Sequence, residues 1–272
     1  MSQARGSGGV PRSATADRAA PVRQTEPMAA ARVLDARGLV KRYKRATAVA
    51  GVSLAVGAGE RVALLGANGA GKTTTLLMLL GAIIPDAGSV TVLGHTLPGA
   101  RSRALEGVGF AAGYLPLPDR LRVREVLAYF ANLHGIAEPG PAIEVGLKRF
   151  RIAHLGDAMA SELSSGQRTL VGIIKATLHR PRLLVLDEPT ASLDPEVAHR
   201  VRMGLERTCE EDGSALLVTS HNMTDVERIC ERVVFLSHGL VVADGPPAAV
   251  ASQFGRANLE EVFLHLASEE TI

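Results

Sequence analysis

Gly66-Ala67-Asn68-Gly69-Ala70-Gly71-Lys72-Thr73 is a short run in which glycines lead up to a lysine and a hydroxyl. Its spacing fits G-x-x-x-x-G-K-[ST], a phosphate-binding loop. Each part has a chemical reason. Glycines let backbone N–H groups curl around phosphate oxygens with no Cβ in the way. A helix starting at Gly71 aims the positive end of its dipole at the same charge. Lys72 reaches the β- and γ-phosphates, the Thr73 hydroxyl ligates Mg²⁺, and Thr74 donates to the α-phosphate. A glycine-rich turn without a ligand is the bland alternative. The flanks argue against it: apolar residues 62–65 form a strand before the loop, and residues 75–80 form an apolar helix after it. Strand, loop and helix in that order are what phosphate binding requires.

Further along, apolar residues 183–186 run into Asp187-Glu188. In a parallel α/β sheet the C-terminal end of such a strand lies beside the phosphate loop. There Asp187 would hold Mg²⁺, directly or through water, and Glu188 would orient or deprotonate the attacking water. Two acids at a strand end are common without a function. Next to a phosphate loop the functional reading is preferred, because two like charges side by side otherwise only repel.

Working outward, residues 33–40 and 46–56 read as an antiparallel pair, and Arg61–Leu65 as a short strand. Residues 71–80 read as a helix, and 89–93 and 107–111 as strands. Residues 122–178 are mostly helical, with breaks at Gly135, Pro139-Gly140-Pro141 and Gly156. A strand at 183–186, a helix at 196–211 and a strand at 215–219 follow. Residues 232–236 and 240–243 form a hairpin around Ser237-His238-Gly239, and two short helices come after Pro246-Pro247, the last at 259–267. This alternation predicts an α/β fold: a P-loop NTPase with a mostly parallel central sheet, an antiparallel β subdomain and an α-helical subdomain inserted over about residues 115–178.

The bulk numbers set bounds. The chain has 272 residues, 46% of them hydrophobic, enough for a sizeable core. A net charge of +2, 3% aromatics and no Trp give no footprint for nucleic acid. Cys209 and Cys230 have no metal-ligand spacing and read as two reduced thiols. Residues 1–30 have few large aliphatics and no apolar signal region, and read as a disordered tail before one domain at 31–272. No apolar run approaches the ~18 residues a membrane span needs.

Leu163-Ser164-Ser165-Gly166-Gln167 then narrows the class. It resembles the L-S-G-G-Q signature of the nucleotide-binding subunits of ATP-binding cassette (ABC) transporters, with Ser165 in place of the first Gly. It also reads as a helix N-cap made by Ser164 or Ser165, and both readings hold together. Other motifs resemble the family in order. Tyr43 is similar to the aromatic that stacks on adenine, and reads equally well as an edge-strand tyrosine. Ser192-Leu193-Asp194 resembles the loop joining the two nucleotide sites, although Asp194-Pro195 also reads as a helix start. His221 resembles the switch histidine at the γ-phosphate. The resemblance covers about residues 32–265. Within the family it is closest to the ABC-2 type exporter ATPases of bacteria. It rests there on Ala70-Gly71-Lys72-Thr73-Thr74-Thr75-Leu76, Ser220-His221-Asn222-Met223 and the tail Asn258-Leu259-Glu260-Glu261-Val262-Phe263-Leu264-His265-Leu266.

This resemblance implies ATP and Mg²⁺ as cofactors, Glu188 and His221 as catalytic residues, and Thr73 and Asp187 as metal ligands. It implies that ATP on one copy is covered by the signature of a second copy. It also implies a separate membrane-spanning permease, and a place at the cytoplasmic face of the plasma membrane. One departure stands out. The family carries a Mg²⁺-ligating glutamine after the strand at 107–111, whereas here Gln occurs only at 3, 24, 167 and 253. The slot falls near Gly113-Tyr114. Mg²⁺ readily keeps water in such a place, and slower or more partner-dependent turnover is expected. Two other roles stay open: a soluble cassette ATPase in Fe–S assembly or regulation, and an ATP sensor with slow turnover.

Overall fold

A strand that is apolar on both faces of its pleat belongs in the middle of a covered sheet. Segments 183–187 and 215–219 have this character, with every residue buried. They organise the computed structural model, which describes residues 32–269 apart from 45, 114 and 192. The tail at 1–30, Tyr114 and Ser192 therefore lie outside the described residues.

In chain order the elements begin with β1 (Arg32–Tyr43), β2 (Ala46–Gly57), β3 (Arg61–Leu65), α1 (Lys72–Leu79), β4 (Ala87–Val92), β5 (His95–Thr96), α2 (Arg101–Glu106) and β6 (Val108–Ala112). The helices α3 (Val123–Leu133), α4 (Pro139–Arg149) and α5 (Ser165–Thr177) form the middle block. Then come β7 (Leu183–Asp187), α6 (Pro195–Asp212), β8 (Ala215–Thr219), α7 (Met223–Ile229), β9 (Arg232–Ser237), β10 (Leu240–Gly245), α8 (Pro247–Gln253) and α9 (Leu259–Glu269).

Two sheets result. One is antiparallel, in the order β2-β1-β4-β5. The other runs β10-β9-β3-β8-β7-β6, parallel except for the β9–β10 hairpin. Alternate residues of its central strands feed two cores. Leu184, Leu186, Leu216 and Val218 pack with the helical block and α6 to α9. Leu183, Val185, Ala215 and Leu217 pack with the antiparallel sheet and α1. Burying one such leucine contributes about 1.5–3 kcal/mol.

The order β3-β8-β7 positions the site. Three parallel neighbours end together, which brings the loop after β3, Asp187 at the end of β7 and the segment after β8 to one edge. The β9–β10 turn braces this edge from outside: Gly239 N–H donates to Ala70 O at 3.1 Å, and Ala50 N–H donates to Gly239 O at 2.8 Å.

The helical block departs from its expected outline at residues 150–164, which hold only two short 3-10 turns, and at its prolines. Pro139 and Pro141 do not break structure; Pro139 opens α4. The first turn of a helix leaves its N–H groups without intrahelical acceptors, so proline costs nothing there. The small elements β5, α2 and α7 carry too few residues for a readable period. The two thiols agree with expectation. Both are buried and unpaired, and burial pushes Cys209 up to about 11 and Cys230 up to about 12.

Candidate functional site

The phosphate loop is shaped by close packing around its glycines. Gly66 has φ 149°, and a Cβ there would stand 2.3 Å from the Leu236 carbonyl oxygen. Gly71 has φ 102°, and a Cβ there would stand 2.4 Å from the Ala48 carbonyl oxygen. Only glycine fits either place. Gly71 is the N-cap of α1 and offers no side-chain acceptor, and the first turn of α1 holds no acid. The leading N–H groups of this helix thus meet no competing side chain at its start. Lys72 is buried, and its ammonium donates to Gly66 O at 2.5 Å and Ala67 O at 3.0 Å, within the curl of the loop.

Asp187 is buried at the end of β7, directly opposite Thr219 in the β7–β8 register. The Thr219 hydroxyl donates to Asp187 Oδ1 at 2.7 Å and accepts from Glu188 N–H at 3.0 Å. One threonine thus orients the Asp187 carboxylate and anchors the Glu188 main chain. The sequence reading gave Thr219 no role; its only signal is a hydroxyl closing an apolar strand. Glu188 adopts φ 52°, a left-handed conformation rare for a residue with a side chain, at the turn into Pro189.

His221 Nε2 lies 3.0 Å from Glu188 Oε1. The two stand at ion-pair distance without the alignment of a hydrogen bond. Burial raises the Glu188 carboxyl above the ordinary carboxylate value, and Asp187 adds to this; His221 and Lys72 oppose it. Asn222 holds the turn that carries His221. Its side-chain oxygen accepts from Asp225 N–H at 3.1 Å and so caps α7.

These groups line one cleft of about 570 Å³, with Ala67, Asn68, Gly69, Gly71, Lys72, Thr73 and Thr74 on one wall and Asp187, Glu188 and His221 on the other. Ala48 of β2 also lines it, which the sequence did not indicate. The donor set fits a phosphate chain with a hard cation. It combines a lysine, an uncapped helix start, a threonine hydroxyl and an aspartate, with the Glu188 carboxylate where a water would be accepted.

Other expected site residues are not on this cleft. Tyr43 stands 49% exposed at the far end of β1. None of Leu163, Ser164, Ser165, Gly166 and Gln167 lines it. Ser164 is the N-cap of α5: its hydroxyl accepts from Gln167 N–H at 3.2 Å, and Gln167 Oε1 accepts from Ser164 N–H at 2.9 Å. Ser165 borders a second cleft of about 540 Å³ that reaches Asp187 and Glu188 from the α5 side and includes Gly113. Asp194 caps α6, its carboxylate accepting from Val197 N–H at 2.9 Å.

Comparison with known proteins places this geometry. The sequence profile described as ABC transporter matches residues 49–191. A Nod factor export ATP-binding protein I of Burkholderia orbicola (strain AU 1054) is 38% identical over 229 residues, 82% of this chain and 74% of that protein. The protein of the same name from Rhizobium sp. (strain N33) is 37% identical over 240 residues, 85% of this chain and 76% of its own. Among solved structures, an ATP binding subunit of an ABC transporter superposes with a TM-score of 0.79 at 28% identity, covering 86% of this chain and 99% of that one. The cbiO1 protein from Clostridium perfringens, part of an ABC transporter complex, superposes with a TM-score of 0.72 at 26% identity, over 82% and 92% of the two chains. A phosphate cleft built at the end of a parallel sheet, a family profile spanning more than half of the sequence and relatives well above 30% identity agree: this chain belongs to the ABC transporter family, as one of its ATP-binding subunits.

Proposed function

We propose that this chain hydrolyses Mg-ATP at the cleft between Lys72 and Glu188 and so drives an ABC-2 type exporter. The observation that carries the reading is the division of its motifs. Lys72, Thr73, Asp187, Glu188 and His221 share one cleft, while Ser164 and Ser165 stand exposed and outside it.

The loop glycines and the start of α1 bind the phosphates, and Lys72 turns its ammonium to the β- and γ-oxygens. Thr73 and Asp187 would hold Mg²⁺, which when bound offsets the phosphate charge. Thr219 keeps Asp187 and Glu188 in place. Glu188 accepts a water at its carboxylate and takes its proton as the water oxygen bonds to the γ-phosphorus. The bond from the γ-phosphorus to the bridging oxygen breaks, and ADP leaves with the electron pair. Burial makes Glu188 a stronger base than an exposed glutamate. His221, beside that carboxylate, donates to the γ-phosphate.

The γ-phosphate is left open on the side away from its own loop. Ser164 to Gln167 of a second copy, at the exposed start of α5, would close it, giving a two-fold dimer with two ATP molecules inside. Tyr43 would stack on adenine and Asp194 would lie near the dimer axis. The membrane-spanning permease is a separate chain, and this subunit sits peripherally on the cytoplasmic face of the membrane. No helix among the described residues is long and apolar enough to cross a membrane. The exporter assignment draws on the two relatives whose names are export ATP-binding proteins.

The test is co-purification. Tagged full-length Glu188→Gln is mixed with detergent-solubilised membranes from its source organism, with and without Mg-ATP. Stoichiometric recovery of one multi-span protein that depends on Mg-ATP is expected. Recovery of ribosomes, or of the tagged chain alone, would overturn the exporter role.

A further inference from the structure

The C-terminal helix α9 approaches the catalytic edge from the side opposite the phosphate loop, and the reaction described gives it no task. Its placement is firm. Leu259 and Val262 are fully buried. Leu259 N–H donates to Glu227 Oε1 at 3.0 Å, which ties the start of α9 to α7, the helix that begins two residues after His221. Asn258 Oδ1 accepts from Glu261 N–H at 2.9 Å and closes the first turn of α9. Leu264, next in the chain to Phe263, is 61% exposed and borders the same catalytic edge. Between the buried and exposed faces stands Phe263, with its ring centroid 5.9 Å from that of His221 and the two planes at 77°. His221 Nε2 is meanwhile 3.0 Å from Glu188 Oε1. A groove of about 700 Å³ runs between α9 and these residues, lined by Glu188, His221, Met223 and Phe263.

The His221 side chain is 41% exposed. Asn222 fixes the backbone beside it, which leaves the χ rotations of the imidazole open. A swing to another staggered well would carry Nε2 away from Glu188. Edge-to-face aromatic pairs favour one relative orientation, beyond the area they bury. An aliphatic residue at 263 would cover the ring without orienting it.

We propose that Phe263 is a positioning residue for hydrolysis, holding the His221 imidazole toward Glu188 and the reacting phosphate. The inference rests on the proposed roles of His221 and Glu188. It gives the tail segment from Asn258 to Leu266 a physical task in the chemistry, fixed through α7 and α9.

Single-turnover hydrolysis of Mg-ATP by the full-length chain tests it, with ATP affinity and thermal midpoint measured in parallel. Phe263→Leu is expected to slow the chemical step roughly twofold to tenfold, the range of one aromatic pair, with affinity and midpoint unchanged. Phe263→Tyr keeps the wild-type rate. In a His221→Ala background Phe263→Leu adds no further slowing. If Phe263→Leu lowers the midpoint, Phe263→Met, which keeps more of the volume, is read instead. An unchanged rate in Phe263→Leu, or equal slowing with and without His221, overturns the inference while leaving the role of His221 standing. Wild-type turnover by His221→Ala overturns both.

Discussion

The starts of α1 and α5 both carry motifs that resemble the family, and they are finished in opposite ways. At α1 the cap is Gly71, with no side-chain acceptor and no acid in the first turn. At α5 the cap is Ser164, which closes a reciprocal pair of hydrogen bonds with Gln167. The first start is set deep in the cassette, with Lys72 buried and glycines pressed against Leu236 and Ala48. The second is exposed at Ser164 and Ser165. A helix start left uncapped at the end of a parallel sheet suits an anion held within one chain. One that satisfies itself at the surface is stable alone and free to meet a partner. In the proposed dimer, one half of the nucleotide site is assembled by folding and the other half is left to association.

The largest expected effect lies on the folded half. Glu188→Gln removes the proposed base, and hydrolysis falls by about a hundredfold to ten-thousandfold in single-turnover assays. ATP still binds, and the variant accumulates as a dimer by size-exclusion chromatography. A monomer with bound ATP would break the comparison. Glu188 must be ionised to accept a proton, and burial raises its carboxyl. The wild-type kcat therefore falls on acidification at a higher pH than an ordinary glutamate would set, a limb that a pH–rate profile reads.

Lys72→Ala comes next. Losing a charge-assisted contact to phosphate weakens ATP binding about a hundredfold, measured by titration calorimetry. The fold is kept, because the loop is held by its glycines and by the hydrogen bond from Gly239.

Ser164 sharpens the comparison, because its cap and its proposed partner contact can be separated. Ser164→Ala loses the cap and costs about 1 kcal/mol in denaturant unfolding. Ser164→Asp restores a strong cap, yet sets a negative charge toward the partner's phosphate. Stability stays near wild type while ATP-driven dimerisation of the Glu188→Gln background drops by at least about tenfold. Equal dimerisation by both variants would leave α5 a helix start and nothing more.

The smallest effect concerns the missing glutamine. Gly113 is exposed, lines the cleft beside α5, and an added Cβ would meet nothing within 4 Å, so Gly113→Gln fits. A rise in Mg²⁺ affinity and basal turnover of no more than about tenfold is expected, since water can already serve the metal there.

Much of this protein was legible in one dimension. The phosphate loop, the acids after an apolar strand, the capped signature helix and the β9–β10 hairpin are local patterns, written in glycine conformations, strand ends and cap residues. Such signals survive in sequence because each depends on neighbours a few positions away. The tertiary structure decided what distant segments do to each other. Strand order β3-β8-β7 brought three loops to one edge and set Thr219 between Asp187 and Glu188. It left Tyr43 off the phosphate cleft and laid Phe263 against His221. These facts depend on which strands pair and which helix faces pack. Local spacing does not encode that; the burial of two opposite faces of one sheet does.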